Sequence, residues 1–175
     1  MRIIAGKHKG RKLFGFEGEK IRPTSDKARE ALFAVLGNIN GEEFLDLCSG
    51  TGAIGLEAFS RGASVTMVDK DSESITLANK NAKLVGFDGK IIKSDAINYL
   101  KNTDKTFDYI FADPPYSLDI GAQVLQIIDE RNLLNEGGVI IYEKDLEGDY
   151  STTNLKKIKE KKYGKAIFAF YGRED

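Results

Sequence analysis

Between residues 44 and 142 the chain alternates short apolar runs with longer amphipathic ones, and nothing else in it constrains the fold as tightly. Phe44–Cys48, Val65–Val68, Lys90–Lys93, Tyr109–Ala112 and Val139–Tyr142 read as strands. Ala53–Ser60, Glu73–Leu84, Ala96–Leu100 and Gly121–Glu130 read as the helices between them. This succession predicts an α/β protein with a mostly parallel sheet, flanking helices and right-handed crossovers. The style changes near the end. Lys156–Tyr163 and Ala166–Tyr171 flank Gly164 and predict an antiparallel strand pair added to the parallel sheet.

The start of the chain differs again. Arg2–Ala5 and Gly10–Gly15 predict a β-hairpin around a turn rich in glycine and lysine. Arg22-Pro23-Thr24-Ser25 reads as a loop that caps a helix carrying Ala28, Ala31, Leu32, Val35 and Leu36 at helical spacing. Residues 1–40 are therefore expected to form a hairpin-plus-helix extension on a body spanning 41–175. At 175 residues the chain suits about one domain.

Charge divides along the same lines. Residues 1–40 carry a net +5, residues 41–155 a net −10, and residues 156–175 a net +4. Basic ends on an acidic body point to a polyanion partner, although any one lysine run alone reads as a solvated face. Lys7, His8, Lys9, Arg11 and Lys12 cluster in a stretch whose first sixteen residues contain no acid. No apolar run has the length of a membrane span, and the charged start lacks the apolar core of a signal peptide. The expected location is therefore cytoplasmic. A single cysteine and a single histidine exclude an internal disulfide and offer no Cys/His metal spacing, so no metal is expected.

Two segments carry chemistry. Asp46-Leu47-Cys48-Ser49-Gly50-Thr51-Gly52-Ala53-Ile54-Gly55 lies between a predicted strand and a predicted helix. Glycines there allow a tight turn and close approach of a ligand to the backbone, beside the free N–H groups of a helix start. Gly50, Gly52 and Gly55 satisfy G-x-G-x-x-G, and Asp69 and Asp71 follow the next strand near the offset of a ribose-binding acid. An adenosine-type ligand is indicated, either a dinucleotide or S-adenosylmethionine. Asp46 favours the second, because a carboxylate repels a pyrophosphate and suits a sulfonium or ammonium. As a loop cap, Asp46 would be compatible with both. Cys48 has no histidine near it in sequence and reads as a small buried residue, not a nucleophile.

The second segment is Asp113-Pro114-Pro115-Tyr116, at the end of the fourth body strand. Ligands of open α/β sheets bind outside the carboxyl ends of the strands, which puts this segment on the same edge as the glycine loop. Proline has no N–H, so the backbone here offers carbonyls beside the Asp113 carboxylate. Such an acceptor-rich pocket suits an amino group, and Tyr116 offers a face for stacking a base.

These residues together resemble the RsmD-type ribosomal RNA (guanine-N2)-methyltransferases, within the class I, Rossmann-like S-adenosylmethionine-dependent enzymes. The similarity runs nearly the whole chain. It includes Arg2–Leu13, Arg22-Pro23-Thr24 with Arg29–Phe33, Leu45–Ala58, and Asp113–Tyr116, and no motif position departs from the pattern. The resemblance implies methyl transfer to a guanine N2 of 16S ribosomal RNA, within an assembling small subunit or on free RNA. It implies donor contacts from the loop residues Asp46, Cys48, Ser49, Gly50, Thr51 and Gly52, from Asp69 in preference to Asp71, and from Asp95 and Ala96. It also implies RNA contacts from the basic turn together with Arg22 and Thr24. An adenine-N6 methyltransferase, a nicotinamide-dependent oxidoreductase and a non-catalytic RNA-binding protein are the competing readings at this stage.

Overall fold

The computed structural model describes residues 1–18, 24–115, 119–144 and 148–174. The strands are β1 (Glu43–Leu47), β2 (Ser64–Asp69), β3 (Lys90–Lys93), β4 (Phe107–Ala112), β5 (Leu134–Lys144), β6 (Leu155–Tyr163) and β7 (Ala166–Arg173). The helices are α1 (Asp26–Leu36), α2 (Ala53–Ser60), α3 (Ser72–Leu84), α4 (Ala96–Asn102) and α5 (Gly121–Arg131). All seven strands form one sheet in the order β3-β2-β1-β4-β5-β7-β6. The first five are parallel, and β7 runs antiparallel to both β5 and β6, as the sequence predicts. No helix among the described residues is long and apolar enough to cross a membrane.

The period of two along each strand divides the core. Phe44, Met67, Phe111 and Ile141 pack on one face with α1, α2 and the start of the chain. Leu45, Leu47, Ile110, Ala112, Ile140 and Tyr142 pack on the other with α4 and α5. β5 begins at Leu134, five residues before the expected strand, because Glu136-Gly137-Gly138 interrupts its apolar pattern. The opposing β4 accommodates the interruption by a register shift between Phe107 and Tyr109.

The expected N-terminal strands reduce to a single antiparallel bridge, Arg2 to Lys12. The reason lies in α2. Ile4 and Ala5 donate their N–H groups to the buried Glu57 carboxylate, at 2.8 and 3.2 Å, instead of to an opposite strand. Ser60 completes the tether, donating its hydroxyl to Ala5 O at 2.6 Å and accepting from His8 N at 2.9 Å. Gly6 passes so close that an added Cβ would lie 2.0 Å from Ser60 O. Glu57 also faces the fully buried Arg29, whose guanidinium donates to Arg2 O and bonds Asp26. The start of the chain thus keeps a hairpin course, with Ile3 N donating to Arg11 O, Gly10 N to Ile3 O and Leu13 N to Met1 O, while α1 and α2 hold Arg2, Ile4, Ala5, Lys7 and His8.

Candidate active site

Asp46 of β1, Asp113 after β4 and Glu143 of β5 stand on one face of the sheet, at its carboxyl edge. The register explains this. Asp46 pairs with Phe111, and Phe111 with Ile141, so Asp113 and Glu143 each follow two residues on along the same face. These strand ends, with the loops after β2 and β3, enclose a cavity of about 980 Å³. The cavity brings together most of the residues singled out in the sequence. From the glycine loop these are Asp46, Cys48, Ser49, Gly50 and Thr51, and from the next two strand ends Asp69, Asp71, Asp95 and Ala96. Asp113, Pro114 and Pro115, after the adjacent β4, line it as well. Gly52 does not line it. Gly52 caps α2 and faces Met67, whose Sδ would lie 3.2 Å from an added Cβ.

The glycine loop is built for a ligand. Asp46 Oδ2 accepts from Gly55 N at 2.9 Å, which ties β1 to the first turn of α2. Gly55 is required there, since a Cβ would lie 2.7 Å from Met67 Sδ and 3.2 Å from Asp46 Oδ2. Asp46 is only 1% exposed. Burial, opposed by the Gly55 bond and reinforced by the charges of Asp69 and Glu143, pushes its carboxyl up to about 7. Burial and the surrounding carboxylates push the Cys48 thiol up as well, so it stays protonated and is no nucleophile. Ser49 Oγ is buried and has no hydrogen-bond partner among the described residues. An orphaned buried hydroxyl in a cavity-lining loop is what such a loop looks like when a polar ligand completes it.

The two acids after β2 have different work. Asp71 is exposed and caps α3, with Oδ2 accepting from Ser74 N and Ser74 Oγ at 3.0 and 3.1 Å. Asp69 accepts from Gly50 N at 2.8 Å and from Asp71 N at 2.9 Å, holding the glycine loop against the strand end. Asp95 caps α4 through Asn98 N at 2.9 Å and also lines the cavity. A donor with an adenosine, a carboxylate and a cationic centre fits these groups: an orphan hydroxyl, backbone donors, strand-end acids and the carboxylate of Asp46.

Asp113 stands beside Glu143, on the neighbouring strand. Burial, then the charge and hydrogen bond of Glu143, then Asp46, push the Asp113 carboxyl well above the ordinary carboxylate range. Thr24, on the approach to α1, donates its hydroxyl to both Glu143 oxygens, at 3.1 and 2.9 Å. No lysine or arginine among the described residues forms an ion pair with Asp46, Asp113 or Glu143.

The basic turn lies away from this cavity. Lys7, Lys9, Arg11 and Lys12 are exposed, and His8 stacks on Phe59 with ring centroids 5.7 Å apart. Tyr116 and Arg22 lie outside the described residues. Three contributors went unread in the sequence. Glu143 is one. Phe16 is another, lining the cavity over Gly50. The third is Asn81 of α3, fully buried, which accepts from Phe14 N at 2.7 Å and donates to Phe14 O and Thr51 O at 3.0 and 2.9 Å. Asn81 thereby fastens the start of the chain to the glycine loop.

Comparison with known proteins decides the family. The family model described as "Conserved hypothetical protein 95" matches residues 1–172. Ribosomal RNA small subunit methyltransferase D of Escherichia coli (strain K12) is 30% identical over 99% of this chain and 90% of its own. The protein of that name from Haemophilus influenzae is 32% identical over 98% and 93%. The chain belongs to this family. The solved structure of yhhF from Escherichia coli superposes with a TM-score of 0.88 at 30% identity, covering 99% of this chain and 98% of that one. The RsmD-type resemblance drawn from the motifs is correct, and the chain is an S-adenosylmethionine-dependent methyltransferase of class I fold.

Proposed function

We propose that this enzyme methylates the exocyclic N2 of a guanine in small-subunit ribosomal RNA. The observation that carries the reading is that Asp113, Pro114 and Pro115, whose prolines offer carbonyls without N–H groups, line the same cavity as the glycine loop. The names of the relatives supply the RNA. S-adenosylmethionine, when bound, supplies an electrophilic methyl on a sulfonium. Ser49, Gly50, Asp69, Asp95 and Ala96 would hold it, with Asp46 near its cationic end.

The chain's own part is to present the amine. A guanine amine is a weak nucleophile because its lone pair is delocalised into the ring. Hydrogen bonds from the –NH₂ group to the Asp113 carboxylate and the Pro114 carbonyl turn that lone pair out of conjugation and toward the donor side. Positioning of this kind supplies much of the rate. The proton lost from the amine passes to Asp113 or to water. The base must leave its stack to reach the cavity.

The basic turn of residues 1–40 would hold phosphates outside the cavity, making this segment an RNA-holding extension of the catalytic body. The substrate would be met in the cytoplasm, as free RNA or within an assembling subunit. The test is methylation of small-subunit RNA, free and in particles, with nucleoside mass mapping of the product. N2-methylguanine at one position supports the proposal. N6-methyladenine, or no base methylation, overturns it.

A further inference from the structure

Glu143 has no place in the reaction described above, yet it is 8% exposed and stands in the same cavity wall as Asp113. Its neighbour Lys144 turns away, to Glu160 at 3.0 Å and to Gly148 O. Among the described residues its hydrogen-bond partners are Thr24, whose one hydroxyl proton is shared between both oxygens, and Asp113. A carboxylate has about four acceptor sites, so one or two of those on Glu143 are left for something else. A buried acid with no ion-pair partner among the described residues gains from hydrogen donors on whatever enters.

We infer that Glu143 is the specificity-determining residue for guanine, accepting the ring N1–H while Asp113 accepts the amine N–H. The inference rests on the guanine reading given above. Among the bases with an exocyclic amine, guanine alone carries a ring N–H beside it. Adenine and cytosine present a ring nitrogen lone pair at that place. Once the proton that Asp113 shares with Glu143 is released to solvent, two carboxylates side by side on adjacent strands match two donors side by side on the base. A lone pair in the same place would face the Glu143 carboxylate and be repelled. Thr24 positions Glu143, because its hydroxyl bridges both oxygens and fixes the plane of the carboxylate.

The test uses a short RNA spanning the mapped methylation site, made with guanine or with 2-aminopurine at the target. 2-Aminopurine keeps the N2 amine but has a lone pair at N1. The wild-type enzyme should favour guanine on the order of 100-fold or more in kcat/KM, because a site built to accept a hydrogen rejects an analogue lacking it. Glu143→Gln presents either an amide oxygen or an amide N–H, so it should narrow that preference to roughly tenfold or less. 2-Aminopurine fluorescence gives a readout independent of turnover. Emission should rise when the base enters the cavity of Glu143→Gln and stay low with wild type. Thr24→Val should lower the guanine preference part of the way. A structural Glu143 would change stability and both substrates together, leaving the ratio and the emission as in wild type, and that result overturns the inference. If wild-type product mapping gives no N2-methylguanine, the guanine reading itself has failed.

Discussion

Asp46→Asn should make the ligand-free protein more stable at neutral and higher pH while weakening its hold on the methyl donor. Asp46 is buried with its carboxyl at about 7, against an ordinary 3.8, chiefly because burial disfavours the charge. A raised acid in the folded state binds its proton more tightly than the unfolded chain does. It therefore contributes stability below about pH 4 that is lost as pH rises through about 7. The gap between 3.8 and 7 corresponds to about 4 kcal/mol, an upper figure for the full loss. Asparagine mimics the neutral acid and can still accept from Gly55 N. Urea unfolding of wild type and variant from about pH 4 to pH 8 should show curves that meet at the acid end. They should separate by up to about 4 kcal/mol at the basic end, with the variant more stable. Titration with S-adenosylmethionine should show the reverse cost, a loss of about 1.5–3 kcal/mol of binding for a charge-assisted contact. A stability difference that does not change with pH would refute the reasoning about the buried charge. Unaltered donor affinity would reduce Asp46 to a loop cap.

Four further outcomes are expected. Asp113→Ala should lose methyl transfer in kcat while donor affinity, measured by titration, stays near wild type, because Asp113 lies on the acceptor side of the cavity. Asp69→Ala should weaken donor binding by about 1.5–3 kcal/mol and Asp71→Ala by much less, since Asp71 is spent on capping α3; calorimetry giving the opposite order would exchange their roles. Glu57→Ala should cost about 3–5 kcal/mol in urea unfolding, because it leaves the buried Arg29 and two backbone N–H groups without their carboxylate. Replacing Lys7, Lys9, Arg11 and Lys12 with Ala should leave stability unchanged and flatten the salt dependence of RNA binding, by roughly 0.7–0.9 in log–log slope for each phosphate no longer neutralised.

What the sequence made legible followed from short-range rules. The glycine loop, the paired prolines and the strand–helix alternation each lie within a few residues, and each is where the motifs predict. What stayed hidden depended on which residues share a face. Glu143 follows an apolar run and precedes Lys144, so locally it looks like the end of a strand meeting solvent. Asn81 sits between Lys80 and Lys83 and looks like part of a solvated helix face. Both are buried because a distant segment arrives to use them: Thr24 and Asp113 for Glu143, Phe14 and Thr51 for Asn81. The period of two was nonetheless available. Asp46 stands two residues after Phe44, Asp113 two after Phe111 and Glu143 two after Ile141, all core residues of one face. Parallel strands put their carboxyl ends on one edge. An acid two positions beyond a core residue on three such strands must therefore converge there. Convergence of three acids with no ion-pair partner among the described residues is unfavourable in an isolated protein, and this burden points to ligands. In the proposed reaction the cationic centre of the donor and the hydrogen-bearing edge of the base would supply what these acids lack.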